Sequence, residues 1–166
     1  MTLALRPGDF PSAFPPLYDR AQSQEGQMLT RAWASLIDDR SATAGVGQAL
    51  AELDTAAGDA VHANWDGYGA AAVLPAAYFQ ARRLLQLLPS AVPAPDIAIS
   101  PKGHVALEWH GGPQWAFSAV LDADRNLTYA GLFGSGRAHG KEVFTDEIPG
   151  PFVATLYRYL TGAGPR

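Results

Sequence analysis

The spacing of apolar residues in this chain changes period at Pro95, and that change limits the folds open to it. Before Pro95 the apolar positions recur at three- and four-residue steps; beyond it they alternate, in short segments bounded by turn-forming residues. The alternating segments are Asp96 to Ser100, His104 to Trp109, Trp115 to Leu121 and Leu127 to Phe133. Between them stand Pro101-Lys102-Gly103, Gly111-Gly112-Pro113 and Asp124-Arg125-Asn126. Links this short join only antiparallel strands, because a parallel crossover needs about a dozen residues or more. The segments therefore predict a meander. A fifth strand is expected over Lys141 to Phe144, after a glycine-rich turn Gly134-Ser135-Gly136-Arg137.

Alternation also sorts the side chains by face. Val105, Leu107 and Trp109, with Trp115, Phe117, Ala119 and Leu121, make a bulky face that needs covering. His104, Ala106 and Glu108, with Ala116, Ser118 and Val120, make a small, mixed face suited to half-solvation or to contact.

The cover comes from amphipathic helices. One is expected over Met28 to Ile37, and a second over Val46 to Ala63, with Val46, Ala49, Leu50, Leu53, Ala57, Ala60 and Val61 on its apolar side. Gly58 costs this second helix about 1 kcal/mol relative to alanine, so packing must hold that turn. A third runs from Pro75, a residue suited to a first helical turn, to Leu88, and buries Ala77, Tyr78, Ala81, Leu84, Leu85 and Leu88. Its polar side holds Gln80, Arg82, Arg83 and Gln86, so the adjacent arginines read as a solvated face. The stretch from Glu147 to Leu160 becomes helical from Pro151 and stops at Gly162. The expected class is α+β, an antiparallel meander of four or five strands with amphipathic helices on one face. Residues 1–25 carry Pro7, Pro11, Pro15 and Pro16 among Leu3, Leu5, Phe10, Phe14, Leu17 and Tyr18, which predicts an apolar arm that lies down on its own domain or on a second copy. Residues 26–166 then form one α+β domain, with helices over 26–63 and 75–88, the sheet over 96–144 and a last helix over 150–161.

Composition narrows the function. The chain has 166 residues, 48% hydrophobic and only 17% charged, so a packed core is expected over nearly all of it. A formal charge of -4 gives no long-range pull on nucleic acid or an acidic membrane. Without cysteine there is no disulfide, thiolate nucleophile or Cys-bound zinc. The first residues lack a signal-like apolar run and no span of about 18 apolar residues occurs, so the cytoplasm is the expected location.

Asn64-Trp65-Asp66-Gly67-Tyr68-Gly69-Ala70, Ile99-Ser100-Pro101, Leu107-Glu108-Trp109, Tyr129-Ala130-Gly131-Leu132-Phe133-Gly134, His139-Gly140 and Asp146-Glu147-Ile148-Pro149 stand in this order over Asn64 to Leu160. In these blocks the chain resembles a family of small, uncharacterised bacterial proteins. The resemblance implies kinship and brings no activity, metal, cofactor or substrate with it.

Four constellations carry possible chemistry. In the Asn64–Ala70 block, Gly67 and Gly69 permit positive φ, and Asp66 can bond nearby N–H groups; Trp65 and Tyr68 either stack on a partner or plug the helix–sheet seam. His104, Glu108 and His110 share one strand face, but six residues of strand span about 20 Å, too far for one metal ion, and no metal is expected. His139 with Asp66, Glu142 and Asp146 would supply acid–base groups to a small hydrolase or nuclease-like enzyme if the fold brought them together. The bland alternative gives Asp146 and Glu147 to the start of the last helix, through its dipole, and His139 to a turn. Gly131-Leu132-Phe133-Gly134-Ser135-Gly136 lacks both a following helix and a Lys-Ser or Lys-Thr pair, so it is no phosphate loop, and no Gly-x-Ser-x-Gly elbow occurs. The preferred expectation is a non-enzymatic protein-binding or regulatory accessory module, binding another protein or itself and needing no cofactor. Trp65, Asp66, Tyr68, Arg137 and His139 are its candidate binding residues.

Overall fold

The computed structural model describes residues 43–162. The arm expected over 1–25 and the helix expected over Met28 to Ile37 lie outside the described residues. Two helices come first, α1 (Thr43–Asp59) and α2 (Pro75–Leu87). The strands β1 (Asp96–Ile99), β2 (Val105–Gly112), β3 (Trp115–Leu121), β4 (Asn126–Phe133) and β5 (Gly136–Val143) follow, and α3 (Gly150–Thr161) ends the fold. The strands form one five-stranded sheet in chain order, with every pair antiparallel. The meander and the α+β class are as the alternation predicts.

All three helices pack on the bulky face. Val105, Leu107, Trp109, Phe117, Ala119, Leu121, Leu127, Tyr129 and Phe133 are buried there against Leu53 of α1, Leu84 and Leu85 of α2, and Phe152 and Leu156 of α3. Phe117 is the hub, with its ring 5.6 Å from Trp109, 5.5 Å from Phe152 and 6.1 Å from Tyr159. Two indoles at the margins satisfy their N–H groups on backbone carbonyls, Trp109 on Pro93 at 2.8 Å and Trp115 on Tyr159 at 3.1 Å. The helices are tied to each other at the surface. Asp54 of α1 accepts the Tyr78 hydroxyl at 2.6 Å and Arg82 at 3.0 Å, and these donors hold its carboxyl below the usual carboxylate range. Arg82 is thus occupied by an ion pair, which fits a solvated helix face and not a phosphate track.

Three expectations need correction. Helix α1 stops at Asp59 and not at Ala63; just beyond it the Ala60 carbonyl accepts the Val73 N–H at 2.8 Å, and the Asn64 N–H that a continued helix would give to Ala60 goes to Ala70 at 2.6 Å. Val61, placed on the apolar side by periodicity, is accordingly 56% exposed. Strand β5 begins at Gly136, five residues before the expected Lys141, so Gly136 and Arg137 of the glycine-rich stretch are sheet and only Gly134-Ser135 is turn. One of its inward positions has no room for a side chain: a Cβ on Gly140 would collide with the Tyr129 hydroxyl, since that ring reaches across from β4. Third, Asp146 and Glu147 do not sit in the first turn of α3. Pro149 occupies the N-cap, and the first turn holds no acidic residue.

Candidate functional site

With the three described helices on one face, the other face of the sheet is left open by the described residues, and its register can be read across all five strands. Asp96, Glu108, Ser118, Ala130 and His139 form one row, and His110, Ala116, Leu132 and Arg137 the next. Small side chains at Ala116, Ser118 and Ala130 leave a floor between taller walls, and the result is a hollow of about 390 Å³. Glu108 and His110 make the β2 wall, joined by a 3.2 Å contact between Oε2 and Nε2. Arg137 and His139 make the β5 wall, three inter-strand steps or about 14 Å away. Leu132, 43% exposed, stands beside them as an apolar contact. The register slips between His110 and Gly112, a bulge that ends regular pairing just past the hollow.

The Asn64–Ala70 loop is a separate structure, held by its own polar groups. Asp66 Oδ1 accepts the N–H groups of Tyr68 at 2.8 Å and Ala70 at 3.1 Å, and Asn64 Oδ1 accepts that of Gly69 at 2.8 Å. The two backbone donors, Tyr68 and then Ala70, keep the Asp66 carboxyl below its ordinary range. Trp65 is tied through Nε1 to the Ala71 carbonyl at 3.0 Å and remains 38% exposed. Tyr68 is 94% exposed, so it plugs no seam. Beyond the loop the chain is stitched to the β1–β2 turn by Ala71 N–H to Pro101 O and Leu74 N–H to Gly103 O, both 2.9 Å. Gly103 makes the stitch possible: its φ is +78°, and any Cβ would collide with the Ala72 carbonyl.

The acid–base set does not converge. The β1–β2 turn that anchors the Asp66 loop and the strand that carries His139 are at opposite edges of the sheet, four inter-strand steps or about 19 Å apart. Glu142 faces the helices from β5, opposite Leu127, and its charge adds to burial in raising the Tyr129 hydroxyl above its usual range. Asp146 is exposed beyond the end of β5. Asp66 meanwhile spends its carboxylate on its own loop. Among the described residues no three His, Asp or Glu side chains gather closely enough to hold a metal ion.

Arg137 and His139 therefore come together, as do Trp65, Asp66 and Tyr68, but the two groups occupy different places. The β2 wall was the part least visible from sequence. Glu108 and His110 alternate on one strand face, which is a legible signal, yet it points to a hollow only once β5 is known to stand three strands away. Lys141 was hidden in the same way, since Arg137, His139 and Lys141 share a face only if the glycine-rich stretch is strand.

Fold and site define a small α+β protein whose meander is sheathed on one face and, among the described residues, open on the other. No protein-family model matches the chain, and no curated protein or solved structure matches it. Among the described residues no helix is long and apolar enough to cross a membrane.

Proposed function

We propose that this chain is a non-enzymatic protein-binding module, regulatory or accessory in role within a bacterial cytoplasmic system, that takes another protein or a second copy of itself on the open face of the sheet. The N-terminal arm and the loop carrying Trp65 and Tyr68 serve as further contacts. One observation carries the reading: a hollow with a small-residue floor, an apolar rim residue and charged walls of unlike character is shaped for contact, whereas the residues that would serve catalysis are spread over both faces and both edges. A hydrolase or nuclease-like activity of His139, Asp66, Glu142 and Asp146 has no comparable support. The kinship implied by the sequence blocks is compatible with an accessory role.

Size-exclusion chromatography with light scattering tests the proposal, together with affinity capture from the native host. The full chain is expected to run as a dimer or with a stoichiometric partner, and Ala130→Arg, which fills the hollow, is expected to release it. Removal of residues 1–25 should weaken the same complex. A monomer that brings down nothing and behaves identically in both variants would count decisively against it.

A further inference from the structure

The two edges of the sheet are finished differently. β1 is four residues long, α1 lies against it, and its Ile97 N–H is bonded by Glu52 Oε1 at 3.3 Å. β5 is eight residues long, contains no proline, and pairs with β4 without a break from Gly136 to Val143. A two-residue turn, Gly134-Ser135, closes that hairpin, so the Phe133–Gly136 pair is of the hydrogen-bonded kind. Alternation from that pair turns the backbone of Ala138, Gly140 and Glu142 toward β4, and the N–H and C=O groups of Arg137, His139, Lys141 and Val143 outward. Among the described residues no group bonds to this outer row.

The outward-facing residues also share the open face. Arg137, His139 and Lys141 thus line the edge at every second position, all three exposed and none in an ion pair among the described residues. We propose that β5 accepts an extended segment of a partner protein as a sixth strand, and that this segment carries carboxylates at every second position. The inference rests on the binding-module reading and names the partner's chemistry. Main-chain bonds to the outer row supply affinity, and carboxylates opposite Arg137 and Lys141 supply selectivity. A second copy does not fit this edge. Two-fold pairing of β5 with β5 sets the same basic row against itself across the ladder, and like charges directly opposite are unfavourable. An added strand would also heighten the wall that Arg137 and His139 raise beside the hollow.

The test uses the full chain and a fluorescein-labelled, end-blocked octapeptide alternating Glu with Val and Thr, followed by anisotropy at low salt; a second peptide has Lys in place of Glu. The acidic peptide is expected to bind and the basic one not to. Arg137→Glu with Lys141→Glu should weaken binding at least about tenfold. Lys141→Pro removes one outward N–H at an edge position where proline is tolerated, and should abolish binding while circular dichroism and thermal unfolding report a retained fold. Equal binding of both peptides, or undiminished binding to either variant, overturns the proposal. So does binding of neither peptide, which would leave the basic row with the single task of keeping copies apart. The two readings fail separately: a native complex lost in Ala130→Arg but kept in Lys141→Pro, at a residue outside the hollow, removes the edge and leaves the hollow, whereas a complex lost in neither removes both.

Discussion

On β3, Phe117 and Ala119 point into the helices and are 1% and 0% exposed, whereas Ala116, Ser118 and Val120 of the same strand point outward and are only half-buried. The inward set is fixed by volume. Phe117 touches rings from β2, β4 and α3, so its size and shape are specified from several directions at once. The outward set answers to none of the described helices, and its small residues Ala116 and Ser118 help to create the hollow. One strand thus carries a face that holds the protein together and a face that is free to meet something else. Stability and recognition are separated by a single residue step.

The largest expected effect that tests this separation is on the inward side. Phe117→Ala should cost about 3–5 kcal/mol in urea unfolding, since it opens a cavity among neighbours that cannot all collapse inward. A loss below about 1 kcal/mol would mean that the aromatic hub is loosely packed. Gly103→Ala should cost about 1–3 kcal/mol, because it forces a side chain into a left-handed backbone conformation against the Ala72 carbonyl. Hydrogen exchange should then quicken at Ala71 and Leu74, whose N–H groups bond to this turn. Ala130→Arg should change stability by no more than about 0.5 kcal/mol while releasing the bound partner. If it unfolds the protein instead, the two faces are not independent.

The smallest effect concerns acid. Burial works to raise the Asp122 carboxyl, but bonds from the Asn126 side chain, the Asn126 N–H and the Asp124 N–H, with the charge of Lys141, hold it below its ordinary value. A carboxyl depressed in the folded state favours folding above its unfolded pKa of about 3.9, and that contribution fades as pH falls through the lower folded value. The urea midpoint of the wild type should therefore fall more steeply between about pH 5 and pH 3 than that of Asp122→Ala. Parallel profiles would show that the β3–β4 turn does not depend on this charge.

Most of the sheet was legible in the sequence because a period of two is a local signal. Val105, Leu107 and Trp109 announce both a strand and its inward face, and the short turns dictate antiparallel pairing. A fifth strand was legible from Lys141 on, but its start at Gly136 was not, for a tertiary reason: Gly136 and Gly140 look like turn residues until Arg158 and the Tyr129 ring are known to lie against them. Helix α1 was read too long for a similar reason. Nothing local to Ala60 reveals that Val73 claims its carbonyl. The candidate site was half visible. Arg137 and His139 were singled out and do stand together, but Glu108 and His110 face them across three ladders whose registers depend on three hairpin turns and a bulge, and no spacing rule reaches that far. The supposed meeting of Asp66 with His139 failed for the same reason, since it required long-range geometry.

The strand order carries a kinetic consequence. Every ladder joins segments adjacent in the chain, so each pairing closes only a short connection, and the entropy lost in closure is small each time. A sheet of this kind can zip outward from any of its hairpins with no distant segment to wait for, and it belongs with the faster-folding β architectures. The demanding search falls to the helices, which must cover Phe117 and its neighbours before that greasy surface finds another chain.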